Sequence, residues 1–246
     1  MTDHAFETVN AGGASRWVIL CDHASNRIPA EVGGCLGLPE ADMGRHIAFD
    51  PGAAGVCAAL ADLMDAPAVL STFSRLVIDP NRGEDDPTLL MKLYDGTIIP
   101  GNRRADAAER VRRLDLFHRP YHGAVARAVA ARDAPVLCSV HSFTPQLRGR
   151  APRPWQVGVL FNDDRRLTDP VIARLKRHED LCVGVNEPYV GYYPGDTMDR
   201  HARGAGHLHV LIELRNDLIS DAEGQRHWAE RLAPVLHAAL KDAEDA

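Results

Sequence analysis

Two histidines stand where apolar runs give way to polar residues. Trp17-Val18-Ile19-Leu20-Cys21 leads into Asp22-His23-Ala24-Ser25, and Val136-Leu137-Cys138-Ser139-Val140 leads into His141-Ser142-Phe143. Neutral imidazole is a favoured zinc ligand, and a catalytic zinc commonly takes three protein ligands and keeps one position open. One such histidine alone reads as a polar residue where a strand meets its loop. Two of the same shape, with acids nearby, point to a shared metal. The third ligand is sought among those acids. HIAFDPGAAG places Asp50 just before a helix start, where a carboxylate either caps the helix or faces a metal. His46 is the weaker substitute.

Glu213 sits in HVLIELRNDL between Ile212 and Leu214. A carboxylate in such a run needs a partner, Arg215 or Arg200, or it faces a cleft. Desolvation raises the pKa of a carboxyl group, which suits a general base for water activated by a metal. The segment SRLVIDPNR supplies Arg75, Asp79, Asn81 and Arg82. Taken alone, Asp-Pro-Asn-Arg is a turn. Beside a metal site, the guanidinium forks and the Asn amide read as a clamp for a substrate carboxylate. Arg200 and His201, in TMDRHARG, are further anion-binding candidates. His122 fits a helix face equally well, and His207 and His209 read as structural. G-x-S-x-G, H-E-x-x-H, G-x-x-x-x-G-K-[ST] and G-x-G-x-x-G are all absent, which leaves serine-hydrolase, zincin, nucleotide-triphosphatase and Rossmann readings without support.

The elements that must position these residues alternate. Short apolar runs at 17–20, 68–70, 76–78, 135–140, 157–161 and 209–214 suit strands buried on both faces. Between them, 51–65, 105–132, 168–178 and 221–242 read as helices. The third opens Thr-Asp-Pro, a capping pattern, and the fourth carries Trp228, Leu232, Val235, Leu236 and Leu240 on one face. The expectation is an α/β chain, a three-layer α/β/α single domain over 1–246 with a mostly parallel or mixed sheet. Segments 79–103, 142–155 and 186–207, rich in Gly, Pro, Asp and Arg, read as long functional loops.

Composition bounds the partners. The 246 residues carry a formal net charge of -6, which disfavours nucleic acid and anionic membrane. Five cysteines without a C-x-x-C pair read as reduced thiols. With no signal-peptide pattern at the N-terminus and no apolar run approaching roughly 18 residues, the expected location is cytoplasmic.

The series DHASNRIP, HIAFDPGA, SRLVIDPNR, PYH, SVHSF, MDRH and IELRND resembles the N-formylglutamate amidohydrolase family over roughly residues 17 to 240. The resemblance implies a phosphorylase/hydrolase-like α/β/α fold related to zinc carboxypeptidases and aspartoacylase-type deacylases, and zinc-assisted attack of water on an amide. It implies His23, Asp50 and His141 as metal ligands and Glu213 as general base and acid. Asn81 and Arg82 would be the pair holding the substrate carboxylate, and Arg200 and His201 the Arg-His pair of the late loop. Two motifs depart from the family: DHASN stands where N-formylglutamate hydrolases read like PHSG, and HIAFD where they read like Trp-His-Val-Asp. The expected substrate is a small N-acyl amino acid, N-formylglutamate or a close analogue. The rivals are a zinc amidase with another N-acyl or peptide substrate and a non-catalytic binder of acidic small molecules.

Overall fold

A computed structural model describes residues 5–246. Along the chain the described strands are β1 (Phe6–Val9), β2 (Trp17–Cys21), β3 (Ala68–Ser71), β4 (Leu93–Tyr94), β5 (Thr97–Ile98), β6 (Val136–Phe143), β7 (Val157–Leu160), β8 (Val183–Val185) and β9 (Leu208–Arg215). Seven build one sheet in the order β1-β3-β2-β6-β9-β7-β8, and β4 and β5 pair as a separate ribbon. Strands β3, β2, β6 and β9 run parallel. β1 is antiparallel on β3, and β7 is antiparallel to β9 and carries β8 parallel to itself. The sheet is mixed around a parallel centre.

Helices α1 (Glu40–Met43), α2 (Ala53–Leu63), α3 (Ala107–Arg113), α4 (Arg119–Ala130), α5 (Thr168–Leu175), α6 (Thr197–His201) and α7 (Ala222–Glu244) complete the chain. Alternate residues of β2 divide between two cores, as the strand period requires. Trp17, Ile19 and Cys21 pack with Val56 and Leu60 of α2, Val171 of α5 and Leu232 and Leu236 of α7. Val18 and Leu20 pack with Phe117 and with Tyr121 and Val125 of α4. Burying both faces is what makes the parallel strands near-continuously apolar, and it gives the expected α/β/α layers. No helix among the described residues is long and apolar enough to cross a membrane.

Four local readings are corrected. Leu76-Val77-Ile78 is buried but lies in turns rather than a strand. Its backbone is satisfied by one turn bond, Val77 N–H to Ser74 O, and by side chains: Ser74 Oγ accepts from Leu76 N–H, Asn102 Nδ2 donates to Leu76 O, and Arg113 Nη1 donates to Val77 O. The 105–132 helix is three pieces, α3, a π turn at Leu114–His118, and α4. Pro120, in the first turn of α4, has no N–H to give, and the turn before it opens. Thr168 does not cap α5. Its hydroxyl is buried inside the first turn without a partner. Of the three loops, 79–103 contains the β4–β5 ribbon and 186–207 contains α6.

Candidate metal centre and hydrolytic cavity

The site lies beyond the carboxyl end of β2 and along the adjoining stretch of β6 and β9, where parallel sheets present ligand sites. His23 follows β2 by two residues. His141 of β6 and Glu213 of β9 are register partners. Asp50 is brought in by its backbone, whose N–H donates to His23 O at 2.9 Å. Two residues later Gly52 adopts φ 83° at the start of α2, where an added Cβ would lie 2.1 Å from Ile219 O. Only glycine fits that turn. The Asp50 side chain does not cap α2. Its Oδ2 accepts from Ser142 N–H at 3.2 Å and lies 2.8 Å from His141 Nδ1 and 3.3 Å from His23 Nδ1.

The far side of each imidazole decides what these contacts mean. His23 Nε2 lies 2.7 Å from Asp79 Oδ1, and His141 Nε2 lies 3.1 Å from Asp22 Oδ2. Both carboxylates are held ionised against burial. His141 leads the groups that lower Asp22, and Arg75 leads those that lower Asp79. An ionised carboxylate only accepts, so each Nε2 carries the hydrogen. Each Nδ1 then aims a lone pair at Asp50 Oδ2. Three lone pairs meeting in one buried spot repel unless a cation joins them. Without a metal that cation is a proton: burial opposes protonation of His141, yet its bonds to Asp22 and Asp50 raise its pKa well above the usual imidazole value. Donor atoms of His23, Asp50 and His141 all lie within 4.8 Å of one another. Two imidazoles and a carboxylate, each imidazole anchored by a further carboxylate, fit a divalent metal such as zinc.

The anchors are themselves fixed. Asp22 Oδ1 accepts from Tyr121 Oη at 2.8 Å and Thr197 Oγ1 at 2.7 Å, and Ser139 Oγ donates to Asp22 Oδ2 at 3.2 Å. Arg75 grips Asp79 Oδ2 through Nε at 3.1 Å and Nη2 at 2.8 Å, and its Nη1 lies 3.6 Å from Asp50 Oδ1.

Glu213 completes the site from β9. It lines the same cavity, about 250 Å³, as His23, Asp50 and His141, and its Oε2 has no hydrogen-bond partner. Neither arginine proposed for it is there: Arg215 pairs with Asp217, and Arg200 turns toward Glu84. Burial pushes the Glu213 carboxyl up to about 8, with Asp50 adding to the rise and His141 opposing it.

A family model described as N-formylglutamate amidohydrolase matches residues 15–220. The chain belongs to the N-formylglutamate amidohydrolase family. It is 28% identical to an N-formylglutamate deformylase of Pseudomonas putida over 72% of this chain and 73% of that protein. Against one from Pseudomonas aeruginosa the identity is 26%, over 74% and 75%. Among solved structures, an Agrobacterium tumefaciens gene product superposes with a TM-score of 0.92 at 35% identity, covering 99% of this chain and 97% of the other. An N-formylglutamate amidohydrolase from Ralstonia eutropha shares the fold, with a TM-score of 0.71 at 23% identity over 99% and 100%.

Within that family fold, Arg75, Asn81 and Arg82 also line the cavity. Thr197 N–H donates to Asn81 Oδ1 at 3.2 Å, which orients the amide and leaves Nδ2 as its donor for a ligand. Arg82 stacks over Tyr193, 4.2 Å from the ring centroid. Arg200 and His201 do not line the cavity. Arg200 Nη1 reaches to 3.9 Å from Glu84, and His201 stacks on His122, because α6 turns Arg200 toward the loop at Glu84 and His201 toward α4. Sequence reasoning gave no role to Asp22 or to Tyr94, Tyr189 and Tyr193, which line the cavity wall. The acid directly before His23 was the available signal for Asp22, and the run EPYVGYYPGD for two of the tyrosines.

Proposed function

We propose that this chain hydrolyses the amide bond of a small N-acyl amino acid, N-formylglutamate or a close analogue. A divalent metal, zinc foremost, would be held by His23, Asp50 and His141. When bound, such an ion polarises the scissile carbonyl and makes water easier to deprotonate. Glu213 takes the proton of the attacking water and returns it to the leaving nitrogen. Asn81 and Arg82 hold the substrate's α-carboxylate. Arg75, which also lines the cavity, is engaged with Asp79 through two of its nitrogens and lies beside Asp50 through the third. The products are a small acid, formate for a formyl substrate, and the free amino acid.

One observation carries this reading: a buried acid with an unpartnered oxygen shares a cavity with three convergent donor atoms. A buried acid left without a partner costs stability, and a proton-transfer role gives that cost a purpose that simple ligand binding does not. The test is metal content by elemental analysis, with formate release from N-formylglutamate, on wild type and His141→Ala. About one zinc per chain, lost in the variant together with formate release, is expected. Zinc without formate release would overturn the substrate and direct attention to other N-acyl amino acids. Wild type that takes up no metal and turns over nothing in added zinc would overturn the hydrolase reading.

A further inference from the structure

Behind the loop that carries Asn81 and Arg82 stands a group of histidines that the proposed chemistry does not use. The carbonyls of Pro80, Asn81 and Arg82 accept no backbone N–H among the described residues. Three side chains supply the donors instead. His122 Nε2 reaches Pro80 O at 2.9 Å, Arg82 Nη1 reaches Asn81 O at 2.7 Å, and His118 Nε2 reaches Arg82 O at 3.0 Å. A carbonyl only accepts, so both imidazoles carry their hydrogen on Nε2. His122 Nδ1 is therefore the acceptor for His201 Nε2 at 2.9 Å. His118 Nδ1 is buried with no partner at all.

That last atom shows that packing alone does not account for His118. A leucine or phenylalanine would fill the same volume without an unmatched nitrogen. What histidine adds is the donor on Arg82 O. The spacing is right for a paired task, because residues four apart on a helix share a face. The two rings lie 4.4 Å apart, and His118 ends the π turn, a helix irregularity often found at functional sites. The seat is also local. Asp79, just upstream, is fixed separately by Arg75 and by its own N–H to Leu89 O. Loss of His122 would loosen Pro80 and Arg82 about the remaining tie of Asn81 N–H to Asp79 Oδ1 at 2.9 Å, while Arg75 and the Leu89 carbonyl keep Asp79, the partner of His23, in place. On the other side, His201 belongs to α6, whose Thr197 N–H holds Asn81 Oδ1.

We propose that His118 and His122 are positioning residues for recognition of the substrate carboxylate. By holding the carbonyls on either side of Asn81 they fix the Asn81 amide and the Arg82 guanidinium where a carboxylate meets both. This rests on the reading that Asn81 and Arg82 form the clamp. A pre-ordered clamp loses less entropy on binding, and an interaction made alike in ground and transition state sets KM rather than kcat.

The test compares N-formylglutamate with its analogue in which the α-carboxylate is a carboxamide. His122→Leu and His118→Phe should each raise KM for the carboxylate substrate about tenfold while kcat stays within about twofold. KM for the carboxamide should barely move. His122→Gln, whose amide N–H can take the place of Nε2–H, should restore most of the loss. Arg82→Ala serves as the reference and should erase the carboxylate preference. If Arg82→Ala erases it and the histidine variants leave KM unchanged, the proposal is overturned and the clamp reading stands. If Arg82→Ala leaves the preference intact, the clamp reading fails and the proposal with it. Equal losses on both substrates would mark a merely structural role and also overturn it. Should His122→Leu fail to fold, His118→Gln against His118→Phe makes the same comparison with the same outcomes.

Discussion

Replacing Glu213 with Gln should make the metal-free protein more stable in alkali while abolishing hydrolysis. The wild-type carboxyl is driven toward its neutral form first by burial and then by Asp50, against the pull of His141, so that it titrates near 8 rather than 4.5. At ~1.4 kcal/mol for each tenfold change in proton affinity, the rise is worth roughly 5 kcal/mol. That is an upper figure, since local relaxation or entry of water would reduce it. The sign follows from linkage. Below about pH 4.5 the group is protonated in both folded and unfolded chains and has no effect. From there to about pH 8 the folded chain holds a proton that the unfolded chain has lost, so stability falls as pH rises, and the loss is complete above pH 8. Gln does not titrate. The stability of Glu213→Gln relative to wild type should grow from near zero at about pH 4.5 toward several kcal/mol at about pH 9. His141 also loses its stabilising proton as pH rises through its raised value. That loss is largely common to both proteins, so the difference between them reports mainly on Glu213. Urea midpoints of chelator-treated protein across this range are the measurement. Parallel pH curves for the two proteins would refute the reasoning. Restoring zinc should shrink the wild-type deficit, because a cation favours the ionised carboxylate.

Three further outcomes are expected. Asp22→Asn keeps the shape beside His141 but replaces one acceptor oxygen with a donor, so zinc affinity by chelator competition should fall about 10- to 100-fold; unchanged affinity would remove Asp22 from the site. Thr168→Val deletes a buried hydroxyl that has no partner, and its urea midpoint should show no loss and up to about 1 kcal/mol of gain; a clear loss would mean the hydroxyl is bonded. Gly52→Ala forces a Cβ against Ile219 O at φ 83°, and should cost about 1–3 kcal/mol and weaken zinc binding by moving Asp50; a neutral result would refute the fit at that turn.

The layers were legible because the central strands are buried on both faces and read as unbroken apolar runs. The same rule misled at Leu76-Val77-Ile78, which is as apolar as a strand. Its carbonyls are taken by Asn102 and Arg113, residues distant in sequence that no local pattern connects to it. Edge strands β1 and β8 are short and partly exposed, so they carry no such run. At the site, His23, Asp50, His141 and Glu213 were legible as polar residues at the ends of apolar runs or before a helix. The positions of Arg200 and His201 were not, because which way a five-residue helix turns depends on what packs beside it, and here that is α4.

The carboxylates behind the histidines were hidden for a related reason: Asp22 meets His141 across 119 residues, and Asp79 meets His23 across 56. They also bear on why a dication would suit the proposed centre. With neutral imidazoles and a protonated Glu213, the buried charges in contact with the two histidines and their carboxylate partners are those of Asp22, Asp50 and Asp79 against Arg75, three negative and one positive. The residue is two negative charges in a poorly solvated place, where charge imbalance is costly. A proton on His141 cancels one of them. A divalent ion cancels both and leaves the imidazoles neutral, as ligands must be. Ionising Glu213 before an ion arrives would bring the count to three, so Asp50 adds to the burial that already raises that acid, and the same negative charge would favour a cation between the histidines.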